Sequence, residues 1–414
     1  MKIFTLQWLG LATAFMCSGC RSRESRMEAA GTLPDSIAAS GTSARTLSDK
    51  APSAQGGLRY ARVFTVKHVG DTTVLKVLKP WQGATADFTY KLVHVDSGKQ
   101  PPAAGSVAGD GMVSGLGVFK VPVARAITLT TTNLRHLETI GALDALVGLG
   151  GGRYVCCEEV RTRLRSGRIL DVGEDMRLDV EAVVSLKPEM LFTYVVGNSS
   201  DGGLAKLAET GVPVAIEGSY MEENPLGRAE WIKFTAAFFD KEAEADSAFA
   251  EVDSSYRALT ALARTAKRRP TVFVGAPFGG VWWVPSGRTY VGRLLADAGA
   301  DYLWASDTTR GSLNLDMEAV LGRAGDAEIW LNAGDWIDLD DAAKRDPRNA
   351  LFKAFREGRV YTNDAIRCEG GGRDFYETGA SRPDWILADL ISILHPDLLP
   401  GHRPRWYRKL GKVK

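Results

Sequence analysis

The sequence predicts an α/β protein: two Rossmann-like lobes with parallel sheets, joined by one long backbone helix and preceded by a small β unit. Three observations predict it. Strand and helix patterns alternate over roughly residues 120–400, an order that gives parallel sheets covered on both faces. A heptad-like run from Leu226 to Ala266 divides that alternation in two. A short motif then occurs once on each side of the run, as Leu178-Asp179-Val180-Glu181-Ala182-Val183 and as Leu315-Asp316-Met317-Glu318-Ala319-Val320.

With 414 residues there is room for two ordinary domains and extras. The composition is globular, 45% hydrophobic and 24% charged, and Lys+Arg 51 balances Asp+Glu 50. No basic excess marks a nucleic-acid binder. Residues 1–19 carry Lys2 as their one charge, an apolar stretch from Ile3 to Met16, and then Ser18-Gly19 ahead of Cys20. A short apolar segment ending in small residues is an export signal and not a spanning helix. Cys20 after Ser-Gly resembles the lipobox of bacterial lipoproteins, which implies acylation of Cys20 and a lipid anchor in a membrane. Cys17 departs from that motif's preferred aliphatic residue, and ordinary signal-peptidase cleavage is the alternative. Residues 20–57, rich in Ser, Ala, Gly and Arg, read as a flexible tether.

Residues 58–117 read as a small β unit and loop. Val63, Val66, Val74, Leu75, Val77 and Leu78 are strand formers split by Gly70-Asp71, a hairpin signal, and Phe88, Tyr90, Leu92 and His94 alternate on a further strand. Two or three strands cannot stand alone, so this unit is expected to pack on the first lobe. Residues 96–117 read as a Gly/Pro-rich loop. The first lobe, 118–225, opens on the buried strand Ala126 to Thr130. The polar turn Thr130 to Asn133 can cap a helix over Leu134 to Leu143. Strands at Leu146–Leu149, Met190–Tyr194 and Val212–Ile216 follow. The second lobe, 268–400, has strands at Thr271–Gly275, Ile329–Leu331 and Arg359–Tyr361. Its helices fall at Val291–Ala298, Ala350–Glu357 and Pro383–Leu394, and residues 401–414 form a tail.

Between the lobes, Trp231, Phe234, Phe238, Ala245, Phe249, Val252, Tyr256, Leu259 and Ala263 recur at helical spacing, with Asp240, Lys241, Glu242, Glu244 and Asp246 over the rest. The spacing predicts a single helix over 226–267, about 60 Å long at 1.5 Å per residue. The repeated motif, together with Thr139 to Leu143 and its counterpart Asp297 to Asp301, predicts lobes related by a pseudo-twofold.

The pattern resembles the periplasmic substrate-binding proteins of ABC importers for ferric siderophores, haem and vitamin B12. Gly141 to Gly148, Leu178 to Glu189, Glu230 to Phe234 and Val284 to Tyr290 carry the resemblance. It implies a lipid-tethered, periplasmic monomer that captures an iron complex or a corrinoid and delivers it to an ABC permease. It also implies that one Glu on each lobe, here Glu181 and Glu318, docks into permease arginines through charge-assisted bonds. Asp179 and Asp316 read as helix caps.

In two-lobed α/β proteins the ligand sits at the carboxyl ends of the strands, between the lobes. Candidate residues there are Thr131, Thr132, Asn133, Tyr154, Tyr194 and Asn198 in the first lobe. Those of the second lobe lie on the turns Phe278 to Trp283, Arg288 with Tyr290, Asn332 to Trp336 and Gly370 to Glu377, with Trp282, Trp283, Arg288, Trp336, Arg373 and Tyr376 the candidates. Aromatics and arginines in this proportion fit a large, partly flat, anionic ligand.

The five histidines are scattered, with no metal-ligand spacing, and His136 reads as a helix-face residue and not a haem ligand. Neither a Gly-x-Ser-x-Gly elbow, a His-Glu-x-x-His motif nor a P-loop occurs, so no catalytic residue or cofactor is expected. An exported chelatase-like enzyme and a sensor lipoprotein on the same fold are the alternative readings. Cys156, Cys157 and Cys368 remain after export; free thiols are the favoured reading, with a bond between the lobes as the alternative.

Overall fold

The computed structural model describes residues 57–94, 116–174, 177–195, 206–207 and 209–411. The expected export signal, Cys20, the tether, most of the loop 96–117 and Asn198 lie outside the described residues.

The β unit is a four-stranded sheet in the order β1 (Phe64–Val69), β2 (Thr72–Val77), β3 (Phe88–His94), β4 (Leu116–Val121). The hairpin turns at Gly70, whose φ of +57° lies in the left-handed region that glycine favours. Strand β4, whose first two residues were expected in the loop and the rest in the first lobe, pairs parallel with β3 and adds Phe119 and Val121 to the buried face.

The first lobe is a five-stranded parallel sheet in the order β7-β6-β5-β8-β9. Its strands are β5 (Ala126–Thr128), β6 (Leu146–Leu149), β7 (Leu170–Asp171), β8 (Met190–Thr193) and β9 (Val214–Ile216). Helices α1 (Thr132–Thr139), α2 (Glu158–Arg165) and α3 (Val180–Ser185) connect them. Thr131 makes no side-chain cap, but the hydroxyl of Thr130 in the same turn accepts from the amide of Thr132, the first residue of α1, at 3.2 Å.

Helices α4 (Pro225–Ala229), α5 (Ile232–Ala237) and α6 (Glu242–Ala263) lead to the second lobe. There β10 (Thr271–Val274) lies between β13 (Asp301–Tyr302) and β15 (Ile329–Leu331), all parallel. An antiparallel sheet of β11 (Pro277–Phe278), β12 (Val281–Pro285) and β14 (Ser312–Leu315) is inserted beside it. Helices α7 (Tyr290–Asp297), α8 (Met317–Ala324), α9 (Leu339–Arg345), α10 (Lys353–Arg356), α11 (Asp374–Glu377) and α12 (Pro383–Leu394) complete it, with a pair formed by β16 (Tyr361–Thr362) and β17 (Arg408–Lys409).

The repeated motif has one structural meaning in both lobes. Asp179 accepts from the amide of Ala182 at 2.9 Å, and Asp316 from that of Ala319 at 2.7 Å. Each capped helix leads to the strand beside the central one, β8 next to β5 and β15 next to β10. The second echo also matches: Gly141 (φ +71°) and Gly299 (φ +78°) end α1 and α7, and the next amide bonds back to Leu137 and Leu295. The central triplets β6-β5-β8 and β13-β10-β15 therefore correspond.

The connector corrects the expectation of a single helix over 226–267. Only α6 is long, about 33 Å at 1.5 Å per residue. Ahead of it the chain breaks after α4 and again at Asp240, which adopts a φ of +56°. Eight of the nine stripe residues are buried and Leu259 is partly so, so the spacing reports burial correctly across a break it does not reveal. The physical reason is that α5 is a middle layer. Phe234 and Phe238 meet Tyr90 and Phe119 of the β unit, while Phe238 also meets Phe192 of β8 at 5.4 Å. Phe64 packs on Trp231 with ring centroids 4.6 Å apart.

Buried carboxylates tie the entry strand to this layer. Glu230, wholly buried, accepts from the backbone amides of Arg59, Tyr60 and Ala61, and Glu222 from those of Arg62 and Val63. Such charge-assisted bonds offset the cost of burying the charge. Because one ring serves two sheets, Phe238→Ala is expected to lower unfolding free energy by about 3–5 kcal/mol, and Phe238→Leu by clearly less, as read from urea-denaturation midpoints.

Candidate ligand-binding site

The loops after the strands of the two lobes meet along a seam. Gly370 and Gly372 press on the loop after β6: a Cβ on Gly370 would lie 1.8 Å from the carbonyl of Arg153, and one on Gly372 1.9 Å from that of Tyr154. Only glycine allows that approach. Beside it Cys156 and Cys368 form a disulfide across a separation of 212 residues, with Cα atoms 5.2 Å apart. This corrects the reading of three free thiols; among the described residues Cys157 is the one free cysteine, half-buried, with its pKa raised chiefly by burial. The sequence placed both cysteine loops at the cleft edge, but only the fold fixes their distance.

Glu377 on α11 reaches across the seam. Its two carboxylate oxygens accept from the amides of Cys156 and Cys157, both at 2.7 Å. Burial pushes its pKa up to about 7; the two amides oppose that, and Asp374 and Glu138 add to it. Arg161 pairs with Glu369 at the outer edge.

The candidate residues fall into three groups. Thr132 and Asn133 are buried at the start of α1, and Thr131, Tyr154 and Tyr194 are half-buried at the ends of first-lobe strands. Arg373 is half-buried, Arg288 and Tyr376 are exposed, and Trp283 is half-buried on β12. Trp282 is a correction. It is fully buried, its ring nitrogen donates to the carbonyl of Val274 at 2.9 Å, and it stacks on Trp330 within the second-lobe core. Trp336 is 5% exposed and sits edge-on to Trp330, capping the same core. Alternation on β12 decides this: Trp282 faces inward and Trp283 outward.

The arginines are already matched by carboxylates. Arg153 pairs with Glu174 at 2.9 Å and lies over the ring of Tyr154; Arg288 pairs with Glu223 at 3.5 Å; Arg373 pairs with Asp335 and donates to Asn363 at 2.9 Å. His136 is buried, its ring nitrogen 3.0 Å from the hydroxyl of Thr235, and burial first and Arg228 second depress its pKa to about 3. It is a neutral packing residue on α1.

Sequence reasoning missed Glu217 and Arg228, whereas Tyr290 and the turn from Gly370 to Glu377 were among the expected cleft turns. Glu217 follows the apolar strand β9 directly, a charged residue at a strand's carboxyl end, and that signal was available. Burial raises its pKa, against the pull of Ser219, Arg228 and Asn133.

Residues 127–366 match the model of the family described as periplasmic binding protein. The chain is a member of the periplasmic binding protein family. An uncharacterised lipoprotein of Methanocaldococcus jannaschii is 29% identical over 301 residues, 70% of this chain and 70% of its own length. The fold is similar to that of a periplasmic haem-binding protein of Pseudomonas aeruginosa, with a TM-score of 0.54 at 19% identity over 70% of this chain and 99% of that one. It is also similar to an ABC-type Fe3+-hydroxamate transport protein of Saccharomonospora viridis, with a TM-score of 0.50 at 18% identity over 66% and 93%.

The family match leaves out β1 to β4 and everything after Ile366, including α11, α12 and β17. This periplasmic binding protein therefore carries its own β unit, and a tail whose Arg405 and Trp406 amides are held by Asp389 at 2.9 Å. Among the described residues no helix is long and apolar enough to cross a membrane.

Two outcomes are expected at the seam. Non-reducing peptide mapping should recover Cys156 linked to Cys368, with Cys157 alkylated only after denaturation. Because the folded pKa of Glu377 is raised, its contribution to stability is full below the usual carboxylate range and is lost as pH rises through about 7. The stability of the wild type relative to Glu377→Gln, measured by denaturation at each pH, should fall between pH 5 and 8 by an amount on the order of 3 kcal/mol at most.

Proposed function

We propose that this solute-binding protein, tethered through Cys20, takes an iron complex (a ferric siderophore or haem) or a corrinoid between its lobes and passes it to an ABC permease. The observation that carries the reading is the matched pair of glutamates. Glu181 and Glu318 occupy the first turn of α3 and α8, each exposed, each two residues after a capping Asp. A cap fixes the helix start, so each carboxylate leaves its lobe in a defined direction. Two such groups on one body suit two cationic sockets on a partner. Exposed Val184 lies one turn from Glu181, and exposed Leu351 follows Arg348, the residue that holds Glu318 at 2.6 Å. An apolar contact beside each carboxylate adds buried area to the docking.

The haem-binding and Fe3+-hydroxamate transport proteins that share the fold support the cargo class. Half-buried Tyr154, Tyr194 and Trp283 with exposed Phe278 and Tyr376 supply flat surfaces for such a cargo. The bond between Cys156 and Cys368 supports a body whose lobes move little, because the two mouth loops cannot separate.

Native mass spectrometry after expression in iron-rich and corrinoid-rich medium tests the reading: a retained coloured small molecule is the expected result, and turnover of the molecule would replace it with an enzyme. Replacing both Glu181 and Glu318 by Ala should abolish uptake in cells while leaving the ligand Kd within about twofold; undiminished uptake would remove the docking claim.

A further inference from the structure

The carboxyl-end loops of the two lobes touch at two ends. In the first lobe the loops after β6 and after β9 leave opposite sides of the central strand β5, the order being β7-β6-β5-β8-β9. In the second lobe β13 stands on one side of β10, while β15 and then Val360, which bridges to Trp330, stand on the other. The loop after β6 meets the segment 368–377, and the bond between Cys156 and Cys368 closes that end. The residues after β9 meet the segments after β12 and between β13 and β14, and there the β unit takes part.

Its β2–β3 loop has a fixed root. Trp81 is buried against Phe88, with ring centroids 5.5 Å apart, and Pro80 lies so close to Gly218 that a Cβ there would stand 3.1 Å from its Cα. Tyr220 ties the loop to the first lobe: its hydroxyl donates to the carbonyl of Val195 at 2.6 Å and hydrogen-bonds with the backbone of Gln82. Gln82 is exposed and reaches the second lobe, where its Oε1 stands 3.8 Å from the position of a Cβ on Gly311. A second contact crosses at the same end, since Arg288 of the second lobe pairs with Glu223 of the first at 3.5 Å. Ser286 joins the two. Its amide donates to the carbonyl of Gly311 at 3.1 Å, and its hydroxyl accepts from the amide of Arg288 at 3.3 Å.

The two ends differ in strength. A covalent bond, a glycine-to-backbone contact and a carboxylate on two amides close the first. The second rests on one exposed side chain and one exposed ion pair, and exposed ion pairs contribute little and weaken with salt. We propose that the lobes pivot on the end held by Cys156 and Cys368 and part at the end of Gln82 and Arg288, where the β2–β3 loop is the clasp. The arrangement in the structure is the clasped one, and parting is the excursion from it. The β unit, which lies outside the family match, thereby governs access between the lobes. The inference holds for any cargo class.

Pulsed electron–electron double resonance on the mature protein tests this, with ketoxime-linked nitroxides on p-acetylphenylalanine so that no cysteine is added. One labelled pair replaces exposed Thr85 and Arg310 at the clasp, the other exposed Thr162 and Ala365 at the seam. At low salt both distances should be narrowly distributed. In about 1 M NaCl, where the screening length falls to about 3 Å, the clasp distance should broaden and the seam distance should not. Gln82→Ala combined with Glu223→Gln should lengthen the mean clasp distance by more than about 2 Å at low salt and leave the seam unmoved. A clasp distance that neither salt nor the double variant moves overturns the inference. So does a seam that broadens together with the clasp, because a general loosening then accounts for both. The salt series keeps the native clasp side chains, so it decides the matter even where the double variant does not fold.

Discussion

The ring of Phe238 meets Phe119 at 5.1 Å on one side and Phe192 at 5.4 Å on the other, and much of the architecture follows from that double contact. A four-stranded sheet with one apolar face needs a partner layer, and the parallel sheet of the first lobe needs cover on its face. Helix α5 supplies both at once. It is short because it is enclosed: the chain must turn at Asp240 to leave the layer and begin α6. Glu230 and Glu222 then fix the entering strand against the same layer through five backbone amides. The β unit is thus part of the first lobe's core and no appendage.

The seam sets the character of the site. Disulfide, glycine contact and the Glu377 carboxylate all join the loop after β6 to the segment 368–377. Helix α6 packs on α1 of one lobe and α12 of the other, which braces the opposite side. A body held at both places keeps its lobes in one arrangement, and preformed sites lose little free energy to ordering when they bind. Arg153, Arg288 and Arg373 each face an acid of the same chain.

Much of this was legible in the sequence. Runs such as Met190 to Thr193 and Ile329 to Leu331 announce buried parallel strands by composition, and the strand–helix order leaves few topologies. The repeated Leu-Asp-x-Glu-Ala-Val marks two equivalent capped helices because capping is a local matter, settled within three residues of Asp179 and Asp316. The site was legible only in outline. Strand ends point to the right loops, but Trp282 and Trp283 are adjacent in sequence and opposite in fate, and register alone assigns one to the core.

The sequence by itself determined the two α/β halves, the buried stripe of the connector and the paired glutamates, since each depends on residue type and spacing over a turn or a strand. Tertiary structure decided the rest. The break in the connector, the bond between Cys156 and Cys368, and the meeting of Asn133, Glu217, Arg228 and Tyr290 all join residues far apart in the chain. Their distances are set by how whole layers pack, and no local pattern carries that information.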